Sequence, residues 1–228
     1  MKQTATQYMK YASVCLISLS FSIAHGMSKD ELIRAVQAMS KEDINRELVL
    51  AAQGGDAAVA RILLDQRADV DAIFSEQDNA STSLIQASKN NHLPVVKLLL
   101  ERNANPDLGV PPRNVTPLLT ATLLGHAAVV DKLLEQANPN QADVDGFTPL
   151  MLASKAGNTP VVQKLLDAKA SIDTQSKPSK TYGVITAQKI AASNGHSSVV
   201  ALLEQARTHV PSAHGSADKK DSTTEKNT

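Results

Sequence analysis

A frame of about 34 residues recurs five times along this 228-residue chain, and it constrains the fold more than any other feature. In the clearest copy, Thr116 and Pro117 open a helix, because threonine caps helix N-termini and proline is tolerated at the first helical position. Gly125 closes that helix, since glycine adopts the positive φ found at helix ends. A second helix follows, with an apolar stripe made of Val129, Val130, Leu133 and Leu134.

The copies begin at positions 46, 82, 116, 148 and 186, so the spacings are 36, 34, 32 and 38 residues. Neither helix of a copy is long enough to be stable alone in water. Each copy must therefore bury its apolar stripe against its neighbours. The pattern predicts an all-α solenoid, in which repeats stack along one direction.

The chain resembles the ankyrin-repeat family over roughly residues 45 to 205, and a period near 33 with two helices per copy is typical of that family. The resemblance is carried by Thr116-Pro117-Leu118, Gly125-His126, the run from Asp145 to Leu150, and Gly195-His196. It implies an all-α ankyrin-repeat solenoid of about five helix-turn-helix repeats with hairpin loops. A helical cap is expected before the first repeat.

Four segments are predicted. Residues 1–26 have lysines, an apolar stretch and small residues near Ala24, which is typical of a secretory signal peptide. Residues 27–44 form an N-terminal capping helix, with a Ser28–Glu31 capping box. Residues 45–207 form the repeat domain, and the polar residues 208–228 form a disordered tail. An uncleaved membrane anchor, or translation from Met27, remains the alternative to a cleaved signal.

Composition excludes several classes of function. The net charge is zero, so nothing favours nucleic acid as a partner. The single cysteine, Cys15, lies in the predicted signal, so the mature chain has no disulfide, thiol nucleophile or zinc–thiolate site. Gly54-Gly55 is not followed by the Lys-Ser/Thr of a phosphate loop.

The remaining reactive side chains are explained by the repeat frame. Three histidines begin second helices, namely His92, His126 and His196. The carboxylate pairs Asp69/Asp71 and Asp143/Asp145 are interpreted as solvated turn residues. His209 and His214 lack a third metal ligand. The sequence therefore predicts no catalytic residue, cofactor or metal site, and no enzyme.

Binding is the remaining activity, since a solenoid offers an extended concave face. In the resembled family this face comprises the hairpin tips and the two residues before each repeat glycine. Its predicted apolar centre is Val115, Leu123, Leu124 and Phe147. The predicted polar rim is Lys89, Asn90, Arg113, Asp145 and Lys155, and Tyr182 is a separate candidate anchor. Alternatively, the leucines pack beneath an overlying hairpin.

The function expected from these features is a non-catalytic scaffold, periplasmic or secreted, that binds a partner protein through its concave face. We expect a monomer that binds no nucleic acid and does not insert into a membrane once the signal is cleaved. The alternative is a secreted effector or inhibitor that blocks an enzyme of a host or competitor. Retention or release by the producing cell distinguishes the two.

Overall fold

The computed structural model describes residues 28–76, 79–178 and 183–209, which contain eleven helices and two short strands. An N-terminal helix, α1, precedes five helix pairs, which we number as repeats one to five. The elements are α1 Lys29–Gln37, α2 Lys41–Gly54, α3 Ala57–Asp65, β1 Phe74–Glu76, β2 Asn79–Ser81, α4 Ser83–Lys89, α5 Leu93–Glu101, α6 Pro117–Leu124, α7 Ala127–Leu134, α8 Pro149–Ala156, α9 Thr159–Asp167, α10 Ala187–Ser193 and α11 Ser197–His209.

The predicted threonine caps of the first helices are confirmed in repeats two to five. The hydroxyl of Thr116 accepts a hydrogen bond from the Leu119 N–H at 3.2 Å, and Thr82, Thr148 and Thr186 cap their helices in the same way. Gly125 ends α6 with a φ of 76°. Asn91 stands in the place of the glycine in repeat two and has a φ of 60°.

The helix pairs form two layers that run the length of the stack. The first helices α2, α4, α6, α8 and α10 contact one another in order, and so do the second helices α3, α5, α7, α9 and α11. Leu118, Leu133, Leu150 and Leu165 are fully buried between the layers. The predicted all-α solenoid is confirmed.

The N-terminal helix has the predicted capping box, because Ser28 and Glu31 exchange hydrogen bonds. The backbone and hydroxyl of Ser28 donate to the Glu31 carboxylate and lower its pKa. Leu32 and Val36 are buried. The next helix, α2, already begins after its own cap at Ser40, so the frame position Arg46 lies inside it.

Short fingers connect one pair to the next. The first finger is the antiparallel hairpin β1–β2, which the sequence did not predict as strands. The Arg46 guanidinium lies 5.3 Å from the centroid of the Phe74 ring and links this finger to α2. In the second finger, Val110 and Val115 form an isolated bridge.

A ladder of asparagine and aspartate side chains, which we call the Asx ladder, joins consecutive repeats. Each side-chain oxygen accepts a hydrogen bond from a backbone N–H, either two residues ahead or in the next turn along the stack. The seven bonds are Asp69 N to Asn45 Oδ1 at 2.7 Å, Asp71 N to Asp69 Oδ1 at 3.1 Å, Asn105 N to Asp71 Oδ1 at 2.9 Å, Asp107 N to Asn105 Oδ1 at 3.0 Å, Asn138 N to Asp107 Oδ1 at 2.9 Å, Asn140 N to Asn138 Oδ1 at 2.9 Å and Ser171 N to Asn140 Oδ1 at 2.7 Å.

This ladder corrects the interpretation of the carboxylate pairs as turn residues only. Asp71 connects its own turn to the following repeat. Asp143 accepts hydrogen bonds from the Asp145 and Phe147 N–H groups at 3.0 and 2.8 Å. These side chains have structural partners, which a turn signal alone does not indicate.

Two predicted segments lie outside the described residues, namely the signal peptide at 1–26 and most of the tail. Helix α11 continues to His209, so it includes the first two residues of the predicted tail 208–228. Among the helices described within 28–209, none has the length and apolar character needed to cross a bilayer.

Candidate functional site

The C-terminal ends of α4, α6 and α8 lie side by side, because these three helices are consecutive in the first layer. Helix α6 consists of apolar residues apart from Thr120 and Thr122, and its Leu118, Leu119 and Ala121 are buried. By contrast, Leu123 and Leu124 are 57% and 48% exposed. The predicted exposure of the two leucines is therefore observed, and none of the hairpin residues that the structure describes covers them.

A lysine lies in the last turn of each of the two helices, α4 and α8, that flank α6. Lys89 ends α4, Lys155 lies in the last turn of α8, and both side chains are exposed. Neither lysine forms an ion pair with any residue in the part of the chain that the structure describes. We call Lys89, Leu123 and Lys155 the central row. It presents one apolar side chain between two uncompensated positive charges.

Histidines hold the backbone at both ends of the central row. His126 Nε2 lies 3.0 Å from the Lys89 carbonyl oxygen, and His196 Nε2 lies 3.0 Å from the Lys155 carbonyl oxygen. A carbonyl only accepts, so Nε2 carries the hydrogen in each case. The same bond joins His92 to the Gln53 carbonyl at the first junction. The structural role predicted for these histidines thus includes linking one repeat to the next.

The fingers contribute a charged pair to the rim. Arg113 Nη2 lies 2.9 Å from Asp145 Oδ2 and 3.8 Å from Asp143 Oδ2. The Val144 N–H also donates to the Arg113 carbonyl at 3.0 Å, so the two fingers are joined by backbone as well. Arg113 therefore compensates one of the two carboxylates, and the cluster of Arg113, Asp143 and Asp145 carries a net charge of about −1.

The other predicted site residues differ in how far they are exposed. Asn90 is exposed beside Lys89, and its side chain donates to the Gln86 carbonyl. Val115 is half-buried, and Phe147 is half-buried against the hydrophobic core. The freely exposed part of the predicted apolar centre is therefore the leucine pair. Tyr182 lies outside the described residues.

The sequence did not single out several other apolar residues that have exposed surface. Leu152 is half-buried one turn before Lys155, and its frame position, three residues before Lys155, could have identified it. Ile73, Val144 and Val184 are exposed on the fingers by 50%, 40% and 37%. Finger residues lie outside the helical periodicity, so no period in the sequence indicates their exposure.

Metal chemistry finds no support in the described ranges, where no three His, Cys, Asp or Glu side chains are placed to hold an ion. The stacked helix pairs, polar fingers and exposed face define an α-helical repeat protein of the solenoid class. Residues 24–110 and 107–177 match the sequence profile of a family described as "Ankyrin repeats (3 copies)". The chain belongs to the ankyrin-repeat family.

Two curated proteins are similar in sequence to part of this chain. The chain is 32% identical over 130 residues to a palmitoyltransferase AKR1 of Lachancea kluyveri, a match that covers 56% of this chain and 18% of that protein. It is 31% identical over 89 residues to the ankyrin repeat and KH domain-containing protein mask-1 of Caenorhabditis elegans, covering 39% of this chain and 3% of that protein. The chain thus spans less than a fifth of the length of either relative.

Proposed function

We propose that this protein is a non-catalytic scaffold that binds a partner protein through the face formed by the ends of its first helices and its fingers. The exposed leucine pair of α6 is the observation that supports this function most directly. An apolar centre with a charged rim is the usual anatomy of a protein-binding hot spot. Ankyrin repeats are themselves non-catalytic scaffolds, which favours binding over catalysis.

The activity named for the Lachancea kluyveri relative is not proposed for this chain. The match covers 18% of the palmitoyltransferase, which is far less than a whole enzyme. The other relative is itself named for an ankyrin repeat, and this chain belongs to the same family. The family membership therefore supports an interaction module more than it supports the enzyme activity in the first relative's name.

The test compares two variants of repeat three. Leu123→Asp combined with Leu124→Asp places charge in the apolar centre, and Ala128→Asp places charge at an exposed position on the second helix of the same repeat. Cross-linking in the producing cell, followed by mass spectrometry, identifies bound proteins. We expect a cross-linked partner for the wild type and Ala128→Asp and its loss in the leucine variant. Equal cross-linking of all three proteins would refute the proposed face.

We further propose that the protein is exported, on the basis of the signal-like residues 1–26. Intact mass and N-terminal sequencing of the protein in each cell fraction test this. A chain that begins near His25 or Met27 and lies outside the cytoplasm supports export. Retention in the envelope favours a scaffold, whereas release into the medium favours the effector or inhibitor. A full-length chain in the cytosol would contradict export.

A further inference from the structure

We infer that the partner contributes an acidic segment in which one apolar side chain lies between two carboxylates. This inference rests on the proposed function and specifies the chemistry of the partner. Its basis is the central row, where Leu123 is exposed between Lys89 and Lys155.

Charge complementarity favours an acidic occupant over a basic or neutral one. Lys89 and Lys155 have no ion-pair partner among the described residues, and the finger carboxylates Asp143 and Asp145 lie against Arg113 instead. A basic segment would place like charges next to both lysines, and such juxtaposition opposes association. A partner with two carboxylates would neutralise both lysines while its apolar side chain covers the leucines.

The helix spacing determines how far apart the partner's carboxylates must be. Packed helices lie about 8–10 Å apart, so Lys89 and Lys155, two helices apart, are separated by roughly 16–20 Å. A partner chain in the polyproline II conformation rises about 3.1 Å per residue with three residues per turn, so its residues i, i+3 and i+6 lie on one face and span about 19 Å. The matching pattern is an acidic residue, two intervening residues, an apolar residue, two intervening residues and a second acidic residue.

The backbone of the central row is held in place before any partner binds. The ring of His126 binds the Lys89 carbonyl and the ring of His196 binds the Lys155 carbonyl, each at 3.0 Å. The two charges therefore extend from helix ends that neighbouring repeats fix in position. Such preorganisation reduces the entropy lost on binding and makes the carboxylate spacing selective.

The test uses a phage-displayed library of random twelve-residue peptides, selected on the immobilised full chain. One selection uses the wild type, and a second uses Lys89→Glu combined with Lys155→Glu. The control for charge is Lys41→Glu combined with Lys97→Glu, which changes two exposed lysines away from the central row. The control for the surface is Leu123→Asp combined with Leu124→Asp.

We expect the wild type and the Lys41/Lys97 variant to select peptides with Asp or Glu three residues on either side of an apolar residue. The Lys89/Lys155 variant should select Lys or Arg at these positions. A selected acidic peptide should bind that variant about 2- to 30-fold more weakly than it binds the wild type, because each of the two exposed ion pairs contributes modestly to affinity. Raising the salt concentration should weaken the wild-type complex.

Two failures are distinguishable. Peptides that depend on the leucine pair but show no acidic preference would overturn the acidic segment and leave the proposed binding face intact. Peptides that bind equally well to the Leu123/Leu124 variant, or no enriched peptide at all, would overturn both.

Discussion

At the residue scale, three hydroxyl groups occupy the same place in successive repeats. Ser88, Thr122 and Ser154 each lie six residues after the capping threonine. All three are fully buried, and their oxygens have no hydrogen-bond partner among the described residues. A buried hydroxyl without a partner lowers stability, because it loses its hydrogen bonds to water.

Replacing Thr122 with valine, which has the same shape, should therefore raise the free energy of unfolding by about 1 kcal/mol. Urea unfolding monitored by circular dichroism measures this change. Thr116→Val is the matched control, because Thr116 is equally buried but its hydroxyl caps α6. Loss of this cap should lower the free energy of unfolding by about 1 kcal/mol. A less stable Thr122→Val protein would mean that the hydroxyl has a partner in solution.

Gly125 is constrained both by its backbone and by its neighbour. Its φ is 76°, and a Cβ there would lie 2.7 Å from the Asn158 amide nitrogen. Gly125→Val should therefore lower the free energy of unfolding by about 1–3 kcal/mol. Gly54→Ala is the control, since its Cβ would meet nothing within 4 Å. Equal thermal melting of Gly125→Val and the wild type would show that α6 ends in another way.

At the scale of elements, a histidine bond joins most pairs of neighbouring repeats. It occurs from His92 to Gln53, from His126 to Lys89 and from His196 to Lys155. At the junction of repeats three and four the position is Asn158, whose side chain instead accepts a bond from the Val161 N–H and caps α9. The junction that bears the leucine pair therefore differs from the others.

His126→Phe should lower the free energy of unfolding by about 0.5–1.5 kcal/mol, because a ring remains but the bond to the Lys89 carbonyl is lost. Chemical denaturation measures the loss. Asn158→Ala is a useful comparison, since it removes a cap at the equivalent position, which costs a similar amount, without breaking a histidine bond. An unchanged midpoint for His126→Phe would show that the ring acts only by packing.

The sequence was most informative about elements whose signals are local. Capping threonines and terminating glycines predicted the first helices, because those residues act on backbone within one turn. The hairpin β1–β2 was not predicted, because its pairing and the contact of Arg46 with Phe74 depend on neighbours distant in sequence. The Asx ladder was missed for the same reason, since Asp71 binds Asn105 34 residues later.

The candidate site shows the same limit. The exposure of Leu123 and Leu124 followed from their frame positions just before the glycine that ends the helix. The half-buried state of Val115 and Phe147 did not, because finger conformation decides how much of each side chain is covered. The pairing of Arg113 with Asp145 likewise depends on the contact between two fingers.

At the scale of the whole molecule, the stack has ends that differ from its middle. A Cβ on Gly55 or Gly157 would lie 2.5 Å from a histidine ring of the next repeat, whereas one on Gly195 would meet nothing within 4 Å. Repeat five thus has one neighbouring repeat in the described region, and the central repeats have two. In a linear array each repeat depends on its immediate neighbours.

Leu133→Ala in central repeat three should lower the global free energy of unfolding by about 2–5 kcal/mol, since Leu133 is fully buried. Leu203→Ala, in repeat five, removes an equally buried side chain. It should mainly speed amide hydrogen exchange in α10 and α11. Hydrogen exchange with mass spectrometry distinguishes the two patterns. Uniform loss of protection in both variants would show that the stack unfolds as one cooperative unit.

The Asx ladder also makes some repeats interchangeable building blocks. Within residues 82–115, the Asn105 N–H donates to Asp71 of the preceding repeat. At the other end of the block, Asp107 accepts a hydrogen bond from the Asn138 N–H of the next repeat. On the first-helix side, His92 binds the preceding repeat, and the Lys89 carbonyl is available to the following histidine. A tandem copy of 82–115 would satisfy every one of these connections on both sides. The chain could therefore grow by duplication of this block, which would extend its binding face with the same ladder and histidine bonds at the new junction.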